Sequence, residues 1–151
     1  MANLYIWLKF FHIVGIGAFL LGHGVSAGSS LGLRRASTDA VRAALLRVSI
    51  QSAAVYYPAL VLIIGTGVWM GFEGHLWGSR WLWSAIGVLV VVFVVMSAMS
   101  VPYHKARDAA NAKPPAEDLE PLVKHARPIE LAAVGTIGLL VLFFLMVLKP
   151  F

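Results

Sequence analysis

The stretch that decides the fold lies at residues 4–33 and reads LYIWLKFFHIVGIGAFLLGHGVSAGSSLGL. Lys9 is its one charged side chain. The hydrocarbon core of a bilayer is about 30 Å thick, and about 20 helical residues cross it at ~1.5 Å each. The stretch therefore predicts a helix that spans a membrane. Its length and the absence of a cleavage region favour a retained helix over a signal peptide.

Three further apolar stretches are long enough to span, at about residues 41–71, 81–102 and 128–148. Of the 151 residues, 60% are hydrophobic and 13% are charged, which is too apolar for a soluble domain of this size. The sequence predicts an all-α membrane protein: an antiparallel four-helix transmembrane bundle in the lipid bilayer, with one membrane domain over residues 1–151. Residues 103–127 are expected to form a loop, with a turn at 113–118 that leads into a short surface helix.

Basic residues lie on one side of the expected bundle. The first and third loops carry nine lysines and arginines, and the other side carries three. Because these residues mark cytoplasmic loops, loop 103–127 should be cytoplasmic and both termini non-cytoplasmic. The five tryptophans fall near the opposite helix ends, where indole rings prefer the membrane interface. The net charge of +5 comes with no basic groove or motif, so nucleic acid is not expected as a partner.

Small residues form the densest pattern in the chain. Gly24, Gly28 and Gly32 follow one another at four-residue spacing in the first helix, and Gly67 and Gly71 repeat that spacing in the second. Such surfaces let helix backbones approach closely, which predicts tight packing within the bundle, a homo-oligomer or membership of a larger membrane complex. The alternative interpretation is that the missing side chains leave room for haem or for a quinone ring.

Two histidines lie inside the first predicted span. His12 and His23 are eleven residues apart, close to three helical turns, so both should point along one face about 16 Å apart in height. Ionisable groups within the bilayer are functional candidates by default. Three interpretations stay open: a hydrogen bond to a neighbouring helix, ligation of haem or a metal, and a proton relay. The chain has no cysteine, which excludes thiolate ligands.

Matching depths across the predicted helices gives His23 its expected neighbours. Met96 and Met99 of the third helix should lie at its level, and a His and Met pair suits haem iron or Cu(I). Pro58 is expected to interrupt the second helix near the membrane centre, and Tyr56 could then line a polar cavity that faces His23. No Ser/His/Asp arrangement or phosphate loop is present, and whether the protein is an enzyme stays open.

Several motifs of this chain are similar to those of known membrane proteins. They are LKFFHIVG at residues 8–15, GTGVW at 65–69, WLW at 81–83 and VPYH at 101–104. The chain resembles an uncharacterised family of small four-helix bacterial integral membrane proteins, akin to the membrane domain of copper-resistance protein D and to J-type protoporphyrinogen oxidase. The resemblance implies a four-helix bundle in a bacterial inner membrane, with His12 at the position of the first-helix histidine of that family.

The working hypothesis is a multi-pass membrane protein that binds haem b and passes electrons. Its candidate metal ligands are His12 and His23, and its candidate cofactor-binding residues also include Met96, Met99 and Tyr56. The alternatives are a non-catalytic subunit that packs against partner helices, and a protein that passes copper or another small solute. The small-residue stripes motivate the first alternative, and a polar path along the histidines would motivate the second.

Overall fold

The structure is a computed structural model that describes residues 2–112 and 118–150. Its elements are α1 (Ala2–Leu33), α2 (Asp39–Glu73), a 3₁₀ turn (Leu76–Gly78), α3 (Arg80–Asn111), α4 (Glu120–Ala126) and α5 (Pro128–Leu148). The turn expected at 113–118 lies largely outside the described residues, and α4 follows it. The described part of the chain contains helices and no strands, which confirms the all-α fold.

In the described part of the chain, four helices are long and apolar enough to cross a membrane, as the sequence predicts. Large apolar side chains cover their outer surfaces and are exposed in the isolated chain; examples are Leu21, Val61, Val91 and Val147. A soluble protein rarely exposes apolar area on this scale, whereas hydrocarbon chains solvate it at no cost. The lipid bilayer is therefore the natural surrounding of these helices.

Close backbone approach joins α1 to α2 as the most extensive helix pair in the bundle. A Cβ placed on Gly22 would lie 3.0 Å from the backbone nitrogen of Tyr56 and 3.1 Å from the carbonyl oxygen of Ser52. Gly15 makes a similar approach to Ile63. Gly24 and Gly28, which the spacing rule singled out, instead face space that holds no described atom within 4 Å. The glycines that join α1 to α2 in the membrane are therefore spaced by seven residues rather than four.

The second pair is α3 with α5, and it also depends on glycine. A Cβ on Gly138 would lie 2.6 Å from a methyl group of Val92, so α5 can approach α3 only because that atom is missing. Contacts between the two pairs, from α2 to α3 and from α1 to α5, are less extensive than contacts within each pair. The bundle is therefore two tight pairs that meet along a looser seam.

Two prolines lie inside helices without ending them. Pro58 does not interrupt α2, which is continuous from Asp39 to Glu73, and Pro102 does not end α3, which continues to Asn111. The helix end expected near Pro102 was wrong, whereas α2 runs through Pro58 as the predicted span 41–71 requires. Proline removes one backbone hydrogen bond, and in membrane helices packing against neighbouring helices compensates for this loss.

The end of the bundle that carries the basic loops, which we call the basic end, contains a compact apolar core in place of most of the expected loop. The core includes Leu33, Leu46, Tyr103, Leu119 and Val123, which come from α1, α2, α3, the segment before α4 and α4 itself. Residues 103–111 continue α3, and α4 packs against them, so residues 103–127 are largely helical. The arrangement fixes the positions of the four long helices relative to one another at the basic end.

Ion pairs attach α4 to the rest of the basic end. Arg42 of α2 donates to Asp39 at 2.9 Å and to Glu120 of α4 at 2.7 Å. Arg127 pairs with Glu130 in the first turn of α5. Such partly exposed pairs contribute little to stability, so the apolar core is the main attachment of α4.

Candidate ligand-binding cavity

A cavity of about 190 Å³ lies along the seam between the two helix pairs. All four long helices contribute to its walls, which are mostly apolar; they include Phe19, Leu60, Leu89, Val92, Leu139 and Leu142. A few polar side chains also line it, among them His23, Tyr56, Ser100 and Arg107. A largely apolar cavity with a few polar groups is the usual form of a small-molecule site.

His23 is the most notable polar group in the middle of the cavity. Its ring stacks on Phe19 one turn earlier in α1, with the ring centroids 5.7 Å apart and the planes 7° from parallel. Its Nε2 atom is buried and has no hydrogen-bond partner among residues 2–112 and 118–150. Buried polar atoms are nearly always paired, so an unpaired imidazole nitrogen indicates a missing partner.

Gly135 of α5 gives the His23 ring its space. A Cβ at this position would lie 2.7 Å from Cε1 of His23 and 3.2 Å from the terminal methyl group of Met96. Tyr56 lines the same cavity, and its ring meets Phe19 edge-on with centroids 6.3 Å apart. The structure thus brings together three of the residues singled out from the sequence: His23, Met96 and Tyr56.

His12 lies elsewhere and is hydrogen-bonded. Its Nδ1 atom is 3.0 Å from Oγ1 of Thr66 on α2, and its ring packs against Gly67. The Thr66 hydroxyl donates to the carbonyl of Leu62 at 2.6 Å, so it accepts from His12 and fixes the proton of a neutral ring on Nδ1. The two histidines share a face of α1, but they contact different helices and do not form one site.

Met99 also lies away from the cavity. It packs against the apolar core of the basic end, which contains Leu46 and Tyr103. Met96 and Met99 are three residues apart on α3, close to one turn, and both pack against this core, but only Met96 also lines the cavity.

At its basic end the cavity is lined by Arg107, which the sequence predicted only as one of the basic residues of loop 103–127. Arg107 lies on the extension of α3 and is only 6% exposed. Its Nη2 atom donates to the carbonyl oxygen of Ser49 at 2.8 Å and to the Ser49 hydroxyl at 2.6 Å. Its guanidinium lies over the Tyr103 ring, 4.8 Å from the centroid. If the third helix had been predicted to continue past residue 102, the four-residue spacing of Tyr103 and Arg107 would have placed both on one face of it.

Ser49 is the centre of a small hydroxyl network beside Arg107. The Tyr103 hydroxyl donates to Oγ of Ser49 at 3.0 Å, and Oγ of Ser26 lies 2.9 Å from the same atom. Because Ser49 already accepts from Arg107 and Tyr103, its own proton goes to Ser26. The network connects α1, α2 and α3 at the boundary between the cavity and the core of the basic end.

A comparison with known protein families assigns the chain to one of them. The family model described as predicted integral membrane protein (DUF2269) matches residues 6–150. The chain belongs to this family. No curated protein and no solved structure matches it, and the comparisons give no evidence for a relation to copper-resistance protein D or to protoporphyrinogen oxidase. For this DUF2269 protein, the family description agrees with the four membrane-spanning helices.

The cavity of this DUF2269 protein offers suitable ligand atoms for haem b, but its volume is too small for the macrocycle. The unpaired Nε2 of His23 and the side chain of Met96 lie against the same glycine, Gly135, and His with Met is an acceptable axial pair. The cavity, however, measures about 190 Å³. Even drug-sized ligands occupy pockets of roughly 300–1,000 Å³. A macrocycle would enter only if the two helix pairs moved apart.

Proposed function

We propose that this protein binds a lipid-soluble ligand inside the membrane, in the cavity along the seam between its two helix pairs. The observation that carries the proposal is the buried, unpaired Nε2 of His23 in a largely apolar cavity. A neutral ring can donate from this atom to an acceptor or accept from a donor. The ligand that satisfies it therefore has a narrow apolar body and at least one polar group.

The surroundings of the cavity favour a ligand that arrives from the bilayer. Each helix contact across the seam, α2 with α3 and α1 with α5, is less extensive than the contact within either pair, so small movements of one pair relative to the other would admit a slender molecule. The walls are too apolar to hold a strongly hydrated solute along their whole length. Binding, carriage or sensing of a membrane-dissolved compound fits this geometry better than passage of a hydrated ion.

We also propose a bacterial inner membrane, with both termini on the non-cytoplasmic side. The support is the charge distribution: Arg34, Arg42, Lys105 and Lys124 all lie at the basic end of the bundle. At the other end, the cation of Lys149 lies over the Trp81 ring, 5.1 Å from its centroid. Tryptophan is common where helices leave the hydrocarbon region, which fits this assignment.

The first test fills the cavity without changing its charge. Ala132 of α5 lines the cavity, and Ile137 on the same helix is 61% exposed on the outer surface. We expect wild-type protein and Ile137→Phe, purified in mild detergent, to retain a small molecule detectable by native mass spectrometry. Ala132→Phe should lose at least about 90% of it, since a bulky ring in a small cavity leaves no volume for a ligand.

Equal retention of the same molecule by Ala132→Phe and Ile137→Phe would contradict the proposal. It would mean that the molecule is bound on the lipid-facing surface. Loss from both variants would contradict it as well, because Ile137 contributes nothing to the cavity walls.

Haem b is a second candidate because His23 and Met96 lie side by side at Gly135. The small cavity argues against it, so we expect protein from haem-replete cells to show no haem band in its visible spectrum and no response to dithionite. A haem band that persists in His12→Ala and disappears in His23→Ala would overturn this expectation and establish haem at the cavity.

The remaining alternatives have less support. Among residues 2–112 and 118–150, no group of three or more His, Cys, Asp or Glu side chains converges on a point that could hold a metal ion. Copper passage along His12 and His23 has less support, since His12 is bonded to Thr66 and lies apart from His23. A homo-oligomer or a larger complex stays a prediction, and the open faces of Gly24 and Gly28 are the positions on which it depends.

A further inference from the structure

We propose that Arg107 makes the basic end of the cavity a site for an anionic group, so that the ligand is a single-chain amphiphile with a carboxylate or phosphate head group. The inference deepens the proposed function and rests on it. It assigns the ligand a charge and an orientation: the head group at Arg107 and the apolar chain toward Phe19 and His23.

Arg107 carries a charge that no neighbouring carboxylate matches. The side chain is only 6% exposed, and within residues 2–112 and 118–150 no carboxylate lies within 4.0 Å of it. Of the described carboxylates of this end, Asp39, Glu120 and Glu130 pair with other arginines, and neither Asp108 nor Asp118 lies within 4.0 Å of a nitrogen of Arg107. A buried charge without a counter-charge is costly, which favours any anion that can reach it.

The guanidinium of Arg107 also has unused hydrogen-bonding capacity. Nη2 donates to Ser49, but Nε is buried and has no partner in the described parts of the chain. Arginine is suited to carboxylate and phosphate because its donors lie in a planar fork that can bind two oxygens at once. The partners that Arg107 does have are neutral oxygens, which leave its charge uncompensated.

The space beside Arg107 has the shape that such a ligand needs. Arg107, His104 and Ser100 line one part of the cavity, and Phe19, Leu89 and Leu142 line another. A volume of about 190 Å³ suits a single slender chain rather than a two-chain lipid or a large ring. Charge at one end and apolar walls beyond it are the features that recognise an amphiphilic anion.

Calorimetry with a matched set of probes tests this assignment. We would titrate the purified full chain, in a neutral detergent at mildly alkaline pH, with dodecanoate, dodecyl phosphate and dodecanol. At least one of the anions should bind about tenfold more tightly than dodecanol, the ratio expected from about 1.4 kcal/mol of charge-assisted hydrogen bonding. The two anions separate a carboxylate source from a phosphate source.

Variants at Arg107 test whether this residue causes the tighter binding of the anions. Arg107→Gln should reduce the affinity for the anions to that for dodecanol, and Arg107→Lys, which keeps the charge, should retain part of the difference. Lys105→Gln is the matched control, because Lys105 is an exposed cation on the same helix and should leave the affinities unchanged. Circular dichroism of each variant verifies that it is folded.

The outcomes separate this inference from the proposed function. Equal affinities of the wild type for dodecanol and for both anions would overturn the anion site even if Arg107→Gln failed to fold. If Ala132→Phe then abolished all binding, the cavity would still be the ligand-binding site, but it would have no preference for anions. If Ala132→Phe left anion binding intact while Arg107→Gln removed it, Arg107 would bind anions outside the cavity, and both the proposed function and the orientation of the ligand in the cavity would be wrong.

Discussion

Gly22→Leu should lower the free energy of unfolding by about 3 kcal/mol, near the upper end of the usual cost of overpacking. The reason is that a Cβ at Gly22 would lie 3.0–3.1 Å from backbone atoms of Ser52 and Tyr56 on α2. A flexible side chain could move aside, but a helix backbone cannot move without separating α1 from α2. The measurement is the midpoint of unfolding in an SDS titration from mild detergent.

Gly24→Leu is the matched control for this prediction. It lies on the same helix, two residues away, and the space around its Cβ holds no described atom within 4 Å. Both substitutions add the same side chain and raise helix propensity equally, so their difference isolates the contact with α2. Equal midpoints for the two variants would show that α1 and α2 do not approach at Gly22.

Ser49→Ala should destabilise the basic end by about 1–3 kcal/mol, because it leaves buried donors without partners. Oγ of Ser49 is the common partner of Arg107, Tyr103 and Ser26, and the residue is fully buried. After the substitution Arg107 keeps only the Ser49 carbonyl, and Tyr103 loses its closest acceptor. The same SDS titration measures the effect.

Ser52→Ala controls for the removal of a buried hydroxyl from α2. Among residues 2–112 and 118–150, the Ser52 hydroxyl donates only within its own helix, to the carbonyl of Ser49, and bonds to no other helix. We expect a change below about 1 kcal/mol, the usual net contribution of one hydrogen bond. If Ser49→Ala were no more destabilising than Ser52→Ala, the hydroxyl network would not connect the three helices.

Length and apolar character were enough to predict the four spans, because lipid demands about 20 apolar helical residues per crossing. The ends of the helices were harder. The third helix was expected to end near Pro102, but packing against neighbouring helices outweighs one lost backbone bond, and α3 continues to Asn111. Glycine spacing alone also did not tell which face of α1 meets α2, since Gly22 makes that contact and Gly24 and Gly28 do not.

The candidate site could be predicted in part. His23 and Tyr56 were found because polar groups inside a span are conspicuous, and Met96 because residue counting gives approximate depth. Arg107 was missed because it was assigned to a loop, where an arginine is ordinary. Once α3 continues past Pro102, the same arginine becomes a buried cation, and only the tertiary packing reveals that Ser49 lies beside it.

We propose above that the seam between the two helix pairs holds a ligand. Native mass spectrometry of Ala132→Phe beside Ile137→Phe tests it most directly, since one substitution fills the cavity and the other lies on the lipid-facing surface of the same helix. We predict a small molecule that Ile137→Phe retains and Ala132→Phe loses. A molecule held equally by both variants would contradict the claim.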